Sequence, residues 1–178
     1  MIFSDNEKQE LLAYSRRVLE NKIKNNEESE DDCPDSNYMQ SAGVFVTLKK
    51  NGELRGCIGY IEPVESLWDA IRINTIAAAT GDPRFEPVSG DEVDEVKIEI
   101  SVLTKPVSCQ FEEITIGQDG VVLEQGRRKA TYLPQVWEDL PEKERFFGTL
   151  CEKAGLGADC WKEPSTKFYR YGAIVFGE

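Results

Sequence analysis

The residues best suited to chemistry lie in one short run, Leu54–Gly59, which reads LRGCIG. In an extended chain Arg55 and Cys57 project from the same face, about 6–7 Å apart. A guanidinium close to a thiol favours the thiolate, so this spacing indicates a nucleophile or a site for an anion. We therefore expect Cys57 to have a pKa below that of a free thiol and to be the most reactive cysteine.

The two glycines beside this cysteine, Gly56 and Gly59, allow close approach by a ligand or by another strand. In the alternative interpretation Cys57 packs as a small apolar residue, and the glycines relieve crowding at a bend. Spacing alone favours the second interpretation and does not exclude the first.

Three other residues could take part in chemistry at Cys57. Glu99 lies on the polar face of the alternating run Val96–Leu103, where it could accept a proton, with Ser101 beside it. Arg84 follows a proline in a loop and could bind an anionic substrate. The alternatives are a surface carboxylate for Glu99 and a surface ion pair for Arg84.

Several kinds of site are excluded by composition. The 178 residues contain no histidine, which removes the usual general base near neutral pH and most zinc sites. The five cysteines form no C-x-x-C pair, so we expect free thiols in a reducing cytoplasm and no metal site. No phosphate loop or dinucleotide fingerprint is found, and we expect no cofactor.

Charge and hydropathy limit the partners and the location. Lys and Arg number 21 and Asp and Glu 33, which gives a net charge of −12. Binding to a polyphosphate backbone needs clustered basic residues, and the only basic run is Arg127–Lys129. We expect no generic binding to nucleic acid. No apolar run approaches a membrane span and no signal peptide is recognised, so we expect a cytoplasmic protein that does not bind membranes.

The elements that must position Cys57 can be predicted from local patterns. A capping box at Ser4–Glu7 and an apolar stripe predict a helix from about Asp5 to Lys24. An acidic stretch, Asn25–Asp35, is typical of an exposed loop. The β-rich runs Gly43–Leu48 and Leu54–Ile61 flank an Asn-Gly pair, which predicts an antiparallel hairpin.

The remaining pattern predicts an α+β fold, an antiparallel sheet flanked by helices. Ser66 is a plausible N-cap for a well-buried helix that ends at Gly81–Pro83, and a last helix begins at Pro141 with Gly155 near its C-terminal cap. Other strands are predicted at Val96–Leu103, Glu113–Ile116, Val121–Glu124, Ala130–Leu133 and Phe168–Phe176.

The run LRGCIG also resembles the signature of the AMMECR family, whose archaeal and bacterial members are called AmmeMemoRadiSam system protein A. Other segments resemble the family in the same order along the chain. They are GVFVTL at Gly43–Leu48, DPRFEPV at Asp82–Val88, VKIEISVLTKP at Val96–Pro106, IGQDGVV at Ile116–Val122, YLPQV at Tyr132–Val136 and KAGLGADCW at Lys153–Trp161.

This resemblance implies one AMMECR-type domain over residues 1–178, with a larger lobe and a smaller lobe at about residues 91–135. It also implies a cleft lined by the LRGCIG segment, and Memo-type and radical-SAM proteins as possible partners. Two hypotheses follow. The protein binds a small molecule or a protein partner in that cleft through Arg55, Gly56, Gly59, Arg84 and Ser101. Alternatively, it is a thiol enzyme in which Cys57 is the nucleophile and Glu99 the proton acceptor.

Overall fold

The computed structural model describes residues 2–27 and 31–178, whose strands form two four-stranded antiparallel sheets. The strand orders are β2-β1-β3-β8 and β4-β7-β5-β6, which confirms the predicted α+β class. The strands are β1 Gly43–Lys50, β2 Glu53–Tyr60, β3 Val96–Leu103, β4 Val107–Cys109, β5 Gly120–Gln125, β6 Arg128–Tyr132, β7 Lys167–Tyr171 and β8 Ala173–Gly177. The α-helices are α1 Asp5–Glu20, α2 Leu67–Thr80, α3 Val136–Asp139 and α4 Lys143–Lys153.

The chain divides into two compact units, one of residues 2–103 with Ile174–Glu178 and one of Thr104–Ala173. These bounds differ from the predicted smaller lobe at about residues 91–135. The first unit includes β3 because that strand pairs with β1 along its whole length. The second includes α4 because its buried phenylalanines, Phe146 and Phe147, belong to the same core as Val121 and Leu123 of β5.

In the first unit, α1 begins as its sequence predicts. The Ser4 side chain accepts the amide of Glu7 and the Glu7 carboxylate accepts the amide of Ser4, which completes the capping box. A π-helical turn, Asn21–Asn25, extends the helix to about its predicted end. Part of the predicted acidic loop, residues 28–30, lies outside the described residues.

The β1–β2 hairpin is also confirmed. Asn51 and Gly52 both have positive φ, 55° and 84°, which is the backbone that a tight two-residue hairpin turn requires. Pairing runs from Lys50 opposite Glu53 to Val44 opposite Tyr60, with a register shift at Leu48/Lys49. At this shift Leu48 pairs with Gly56 and Lys49 with Leu54, so the residue between them, Arg55, is the extra residue of a β-bulge.

Helix α2 covers one face of the first sheet. Ser66 caps it by accepting the amide of Asp69, as predicted for its N-terminus. Its buried side chains, which include Ile71 and Ala78, share a core with Val44 and Ile100 of the sheet. The opposite face of this sheet carries Cys57 and Glu99.

The second unit and the strand after it correct four predictions. The predicted strand Phe168–Phe176 is two strands, β7 and β8, which belong to different sheets. Glu113–Ile116 is not a strand: Glu113 ends a 3₁₀ turn, Phe111–Glu113, and Ile116 begins a second turn. The last helix begins at Lys143 rather than Pro141. Cys151 and Cys160 are joined by a disulfide, so the expectation that all five cysteines are free thiols was wrong.

The geometry at the end of α4 explains this disulfide. Gly155 has a φ of 72°, and the amides of Gly155 and Leu156 bond to the carbonyls of Glu152 and Cys151. This Schellman motif confirms the predicted glycine cap and reverses the chain. The reversal brings the Cα atoms of Cys151 and Cys160 to 5.9 Å, within the range that a disulfide spans.

Candidate functional site

Cys57 lies in a row of three side chains across the middle of the first sheet. Thr47 of β1 is directly opposite Cys57 of β2 on one side and Glu99 of β3 on the other. The Thr47 hydroxyl donates a hydrogen bond to the Cys57 sulfur, Oγ1 to Sγ 3.2 Å. Glu99 and Cys57 are therefore two strands apart, about 10 Å at the usual spacing of about 4.8 Å.

Because of that separation, Glu99 does not hydrogen-bond to Cys57. Its carboxylate accepts a hydrogen bond from Lys49 Nζ at 2.9 Å. Ser101, the next residue on the same face of β3, is buried and lies opposite Phe45 rather than Thr47. The structure thus brings Cys57 and Glu99 into one row, with Thr47 between them.

The backbone of Cys57 is held by the segment that follows α2. Its amide donates to Asp82 Oδ2 at 2.8 Å. The Asp82 carboxylate also accepts from the backbone amide of Arg84 at 3.1 Å and from Nε and Nη2 of the same residue at 2.9 and 2.7 Å. Hydrogen bonds from Arg84 hold the pKa of Asp82 well below its usual range, although burial opposes this. The pair is ionised at neutral pH.

Burial is the main influence on the thiol and raises the pKa of Cys57. The Thr47 hydroxyl and the positive charge of Arg84 lower it, whereas the charges of Asp82 and Glu99 raise it further. The prediction of a lowered pKa was wrong. At neutral pH the sulfur carries its proton, and Cys57 is a neutral, partly buried thiol.

Arg55 does not supply the charge that was predicted beside this thiol. Its guanidinium binds the Glu92 carboxylate through Nε at 3.2 Å and Nη2 at 2.9 Å. Nη1 and Nη2 also donate to the carbonyl oxygens of Glu86 and Pro87 at 2.8 and 3.3 Å. The β-bulge at Arg55 interrupts the strand alternation between this residue and Cys57, which is why the two do not form the predicted pair.

The space beside both glycines is occupied by the protein itself. A Cβ at Gly56 would overlap the backbone carbonyl of Ala78 in α2. A Cβ at Gly59 would overlap the Phe45 ring and the Val44 carbonyl. Gly56 therefore permits close packing of α2 on the sheet, and Gly59 makes room for Phe45. Contact of either glycine with a ligand stays a prediction.

Comparison with known proteins shows the family. Residues 12–176 match the AMMECR1 family. The chain belongs to that family. A protein of Methanothermobacter thermautotrophicus is 42% identical to it over 185 residues, covering 98% of this chain and 96% of that protein. A protein of Methanopyrus kandleri is 38% identical, covering 94% and 86%. The crystal structure of an uncharacterized protein, PH0010 from Pyrococcus horikoshii, is similar with a TM-score of 0.92 and 35% identity, covering 99% of this chain and 93% of that one.

Two residues of this AMMECR1 chain that contact Cys57 directly, Thr47 and Asp82, are missing from the predicted site residues, although they lie in the family-like segments GVFVTL and DPRFEPV. An unbroken register from the Lys50–Glu53 pair would place Gly56 opposite Thr47, and only the bulge moves Cys57 there. Asp82 also has a local signal, since an aspartate two residues before Arg84 can accept its amide in an Asx turn.

Among the described residues of the AMMECR1 chain, no three His, Cys, Asp or Glu side chains are grouped so that they could hold a metal ion. No helix in the same part of the chain is long and apolar enough to cross a membrane. The polar groups at the site are thus the Cys57 thiol, the Thr47 hydroxyl and two ion pairs, Arg84–Asp82 and Lys49–Glu99.

Proposed function

We propose that this AMMECR1-family protein binds a small ligand bearing a carboxylate or phosphate group beside Cys57, with Arg84 as the main contact. The observation that carries this proposal is that Arg84 is exposed to solvent while a buried carboxylate holds it in place. Its side chain is 54% exposed, whereas the Asp82 side chain that holds it is only 2% exposed. An arginine with a fixed orientation and an accessible end is suited to recognise an anion.

The contacts of Arg84 leave hydrogen-bond donors for a ligand. Asp82 accepts hydrogen bonds from Nε and Nη2 of Arg84, and the Cys57 carbonyl oxygen lies 3.4 Å from Nη2. Among the described residues no partner contacts Nη1. The guanidinium carbon also lies 5.5 Å from the centre of the Phe85 ring, which supports the plane of the group. A ligand oxygen can therefore bind without first reorganising the arginine.

Charge favours a small ligand over a polymer. The net charge of −12 repels a polyanion over its whole length, whereas a single carboxylate or phosphate meets mainly the local donors. Since Asp82 and Glu99 neutralise Arg84 and Lys49, directed hydrogen bonds contribute more to recognition than net charge does. We expect millimolar affinity for the isolated anion, equivalent to about −4 kcal/mol.

The state of the thiol favours binding over catalysis. A nucleophilic cysteine reacts as the thiolate, and burial raises the pKa of Cys57 instead of lowering it. Glu99, the predicted proton acceptor, is bonded to Lys49 and has no hydrogen bond to the sulfur. In this proposal Cys57 shapes the site through its backbone and its small apolar side chain.

The test is a titration of the ¹⁵N-labelled protein with inorganic phosphate and, separately, with acetate. We expect shifts at the amides of Cys57 and Arg84 and at least tenfold weaker binding in Arg84→Ala, since a charge-assisted hydrogen bond contributes about 1.5–3 kcal/mol. Arg17→Ala is the matched control, because that side chain is 52% exposed and also pairs with an aspartate, Asp31. The proposal is wrong if Arg84→Ala binds as the wild type does, or if the shifts cluster at Arg127–Lys129 instead.

One contact favours a second candidate, the thiol enzyme. The hydrogen bond from Thr47 to the Cys57 sulfur stabilises a thiolate once it forms. Bound ligand could change the pKa of Cys57, and alkylation rates measured with and without phosphate test this. Partnership with Memo-type and radical-SAM proteins stays a prediction.

A further inference from the structure

The segment Asp82–Val88 carries Arg84 and has little regular structure of its own. It lies between the end of α2 and a 3₁₀ turn at Gly90–Glu92. Its backbone amides make two backbone hydrogen bonds, from Phe85 to the Asp82 carbonyl and from Val88 to the Ala79 carbonyl, at 3.1 and 2.8 Å. The conformation of the segment therefore depends on bonds that other residues make to it.

Two of those bonding groups come from the same strand, β2. At the start of the segment, Asp82 accepts the backbone amide of Cys57. Near its end, the carbonyls of Glu86 and Pro87 accept the guanidinium of Arg55. Strand β2 thus holds the segment on both sides of Arg84.

Glu92 in turn holds Arg55 in the orientation that reaches those carbonyls. Its carboxylate binds Nε and Nη2, and it also accepts the amide of Ser89 and Lys50 Nζ. The hydrogen bond from Arg55 is the main reason that the pKa of Glu92 is lowered to about 2. Lysine cannot replace this arginine, because one ammonium group cannot match the planar fork that binds a carboxylate and two carbonyls together.

We propose that Arg55 is a positioning residue that fixes the Asp82–Val88 segment and so preorients Arg84, without touching the ligand itself. This inference rests on the proposed function for its link to ligand affinity. The positioning effect can be measured without any ligand. Arg55 was predicted from sequence to contact the ligand, and its four hydrogen bonds to protein groups give it this other role.

The experiment compares Arg55→Lys with Lys50→Ala. Lys50 binds the same Glu92 carboxylate, and Glu95, but does not contact the segment, so its variant is the matched control. Two quantities are measured by NMR: the dissociation constant for inorganic phosphate and the hydrogen exchange rate of the Cys57 amide. The amide of Val46, in the middle of the sheet, reports whether the unit as a whole has loosened.

For Arg55→Lys we expect phosphate binding about tenfold weaker and exchange of the Cys57 amide at least tenfold faster, with Val46 unchanged. Lys50→Ala should resemble the wild type in both. Glu92→Gln, which weakens the hold on Arg55 without removing it, should give intermediate values and serves if Arg55→Lys does not fold. Unchanged exchange of the Cys57 amide in both Arg55→Lys and Glu92→Gln overturns the proposal. If wild-type protein binds no phosphate but exchange responds as expected, the proposed function fails and the positioning role stands.

Discussion

Replacement of Asp82 by alanine should destabilise the first unit more than any other single loss of an ion pair in it. The carboxylate is buried and accepts four hydrogen bonds, one from Cys57 and three from Arg84. Its loss leaves the Cys57 amide without a partner, which costs about 1–3 kcal/mol. Loss of one partner of a fully buried ion pair costs about 3–5 kcal/mol, but water can solvate Arg84 because its side chain is 54% exposed. We therefore expect a loss of about 2–3 kcal/mol.

The measurement is native-state hydrogen exchange of the core amides of Val46 and Ile100, which gives the free energy of opening the first unit directly. Asp31→Ala is the control, because the Asp31 side chain is 42% exposed, pairs with Arg17 at 3.3 Å and should matter by less than about 0.5 kcal/mol. Equal effects of the two variants would refute the reasoning about Asp82.

The effect of Asp82→Ala should also depend on pH. The folded-state pKa of Asp82 lies below its unfolded value of about 3.9, so the carboxylate stabilises the fold fully above that value. The stabilisation is lost as pH falls from there through the folded-state pKa. The difference between wild type and Asp82→Ala should be constant from pH 5 to pH 7 and should shrink below about pH 4. A difference that grows on acidification would contradict this sign.

Three other predictions follow from contacts described above. The rate of Cys57 alkylation should increase with pH, and the midpoint of this increase should lie above that of a free thiol. Thr47→Val should move the midpoint higher, because it removes the hydroxyl that favours the thiolate, and peptide mass spectrometry measures the rate in both proteins. Gly56→Ala should cost about 3 kcal/mol of the first unit's stability by hydrogen exchange, because its Cβ meets the Ala78 backbone, whereas Gly90→Ala, with open space around it, should be nearly neutral. Reduction of the Cys151–Cys160 disulfide should lower the stability of the second unit by about 2–3 kcal/mol in the chain-entropy account, measured as exchange of the Leu123 amide, and unchanged exchange would exclude a stabilising role.

The elements with strong local signals could be predicted from the sequence. The β1–β2 hairpin follows from its Asn-Gly turn and α1 from its capping box, because both signals act within a few residues. The placement of Glu99 on the polar face of β3 likewise needs only strand alternation.

The residue that brings positive charge near the Cys57 thiol could not be predicted in this way. Alternation places Arg55 beside Cys57, but one extra residue in β2 breaks the period, and no local pattern reveals that bulge. The charge near the thiol comes instead from Arg84, 27 residues further along the chain, and depends on how the segment after α2 folds back. The disulfide had the same difficulty, since the cap predicted at Gly155 ends the helix but does not show where the following residues place Cys160 relative to Cys151.

The Asp82–Arg84 pair has a further consequence for self-association. Strand β2 is one of the two edge strands of the first sheet, and an edge strand offers unpaired amides and carbonyls to any strand that approaches it. The Asp82 carboxylate accepts a hydrogen bond from the Cys57 amide, and Arg84 donates one to the Cys57 carbonyl. These two side chains therefore provide the acceptor and the donor that the backbone of an added strand would otherwise provide. The ion pair thereby occupies the backbone groups that an added strand would need at this position.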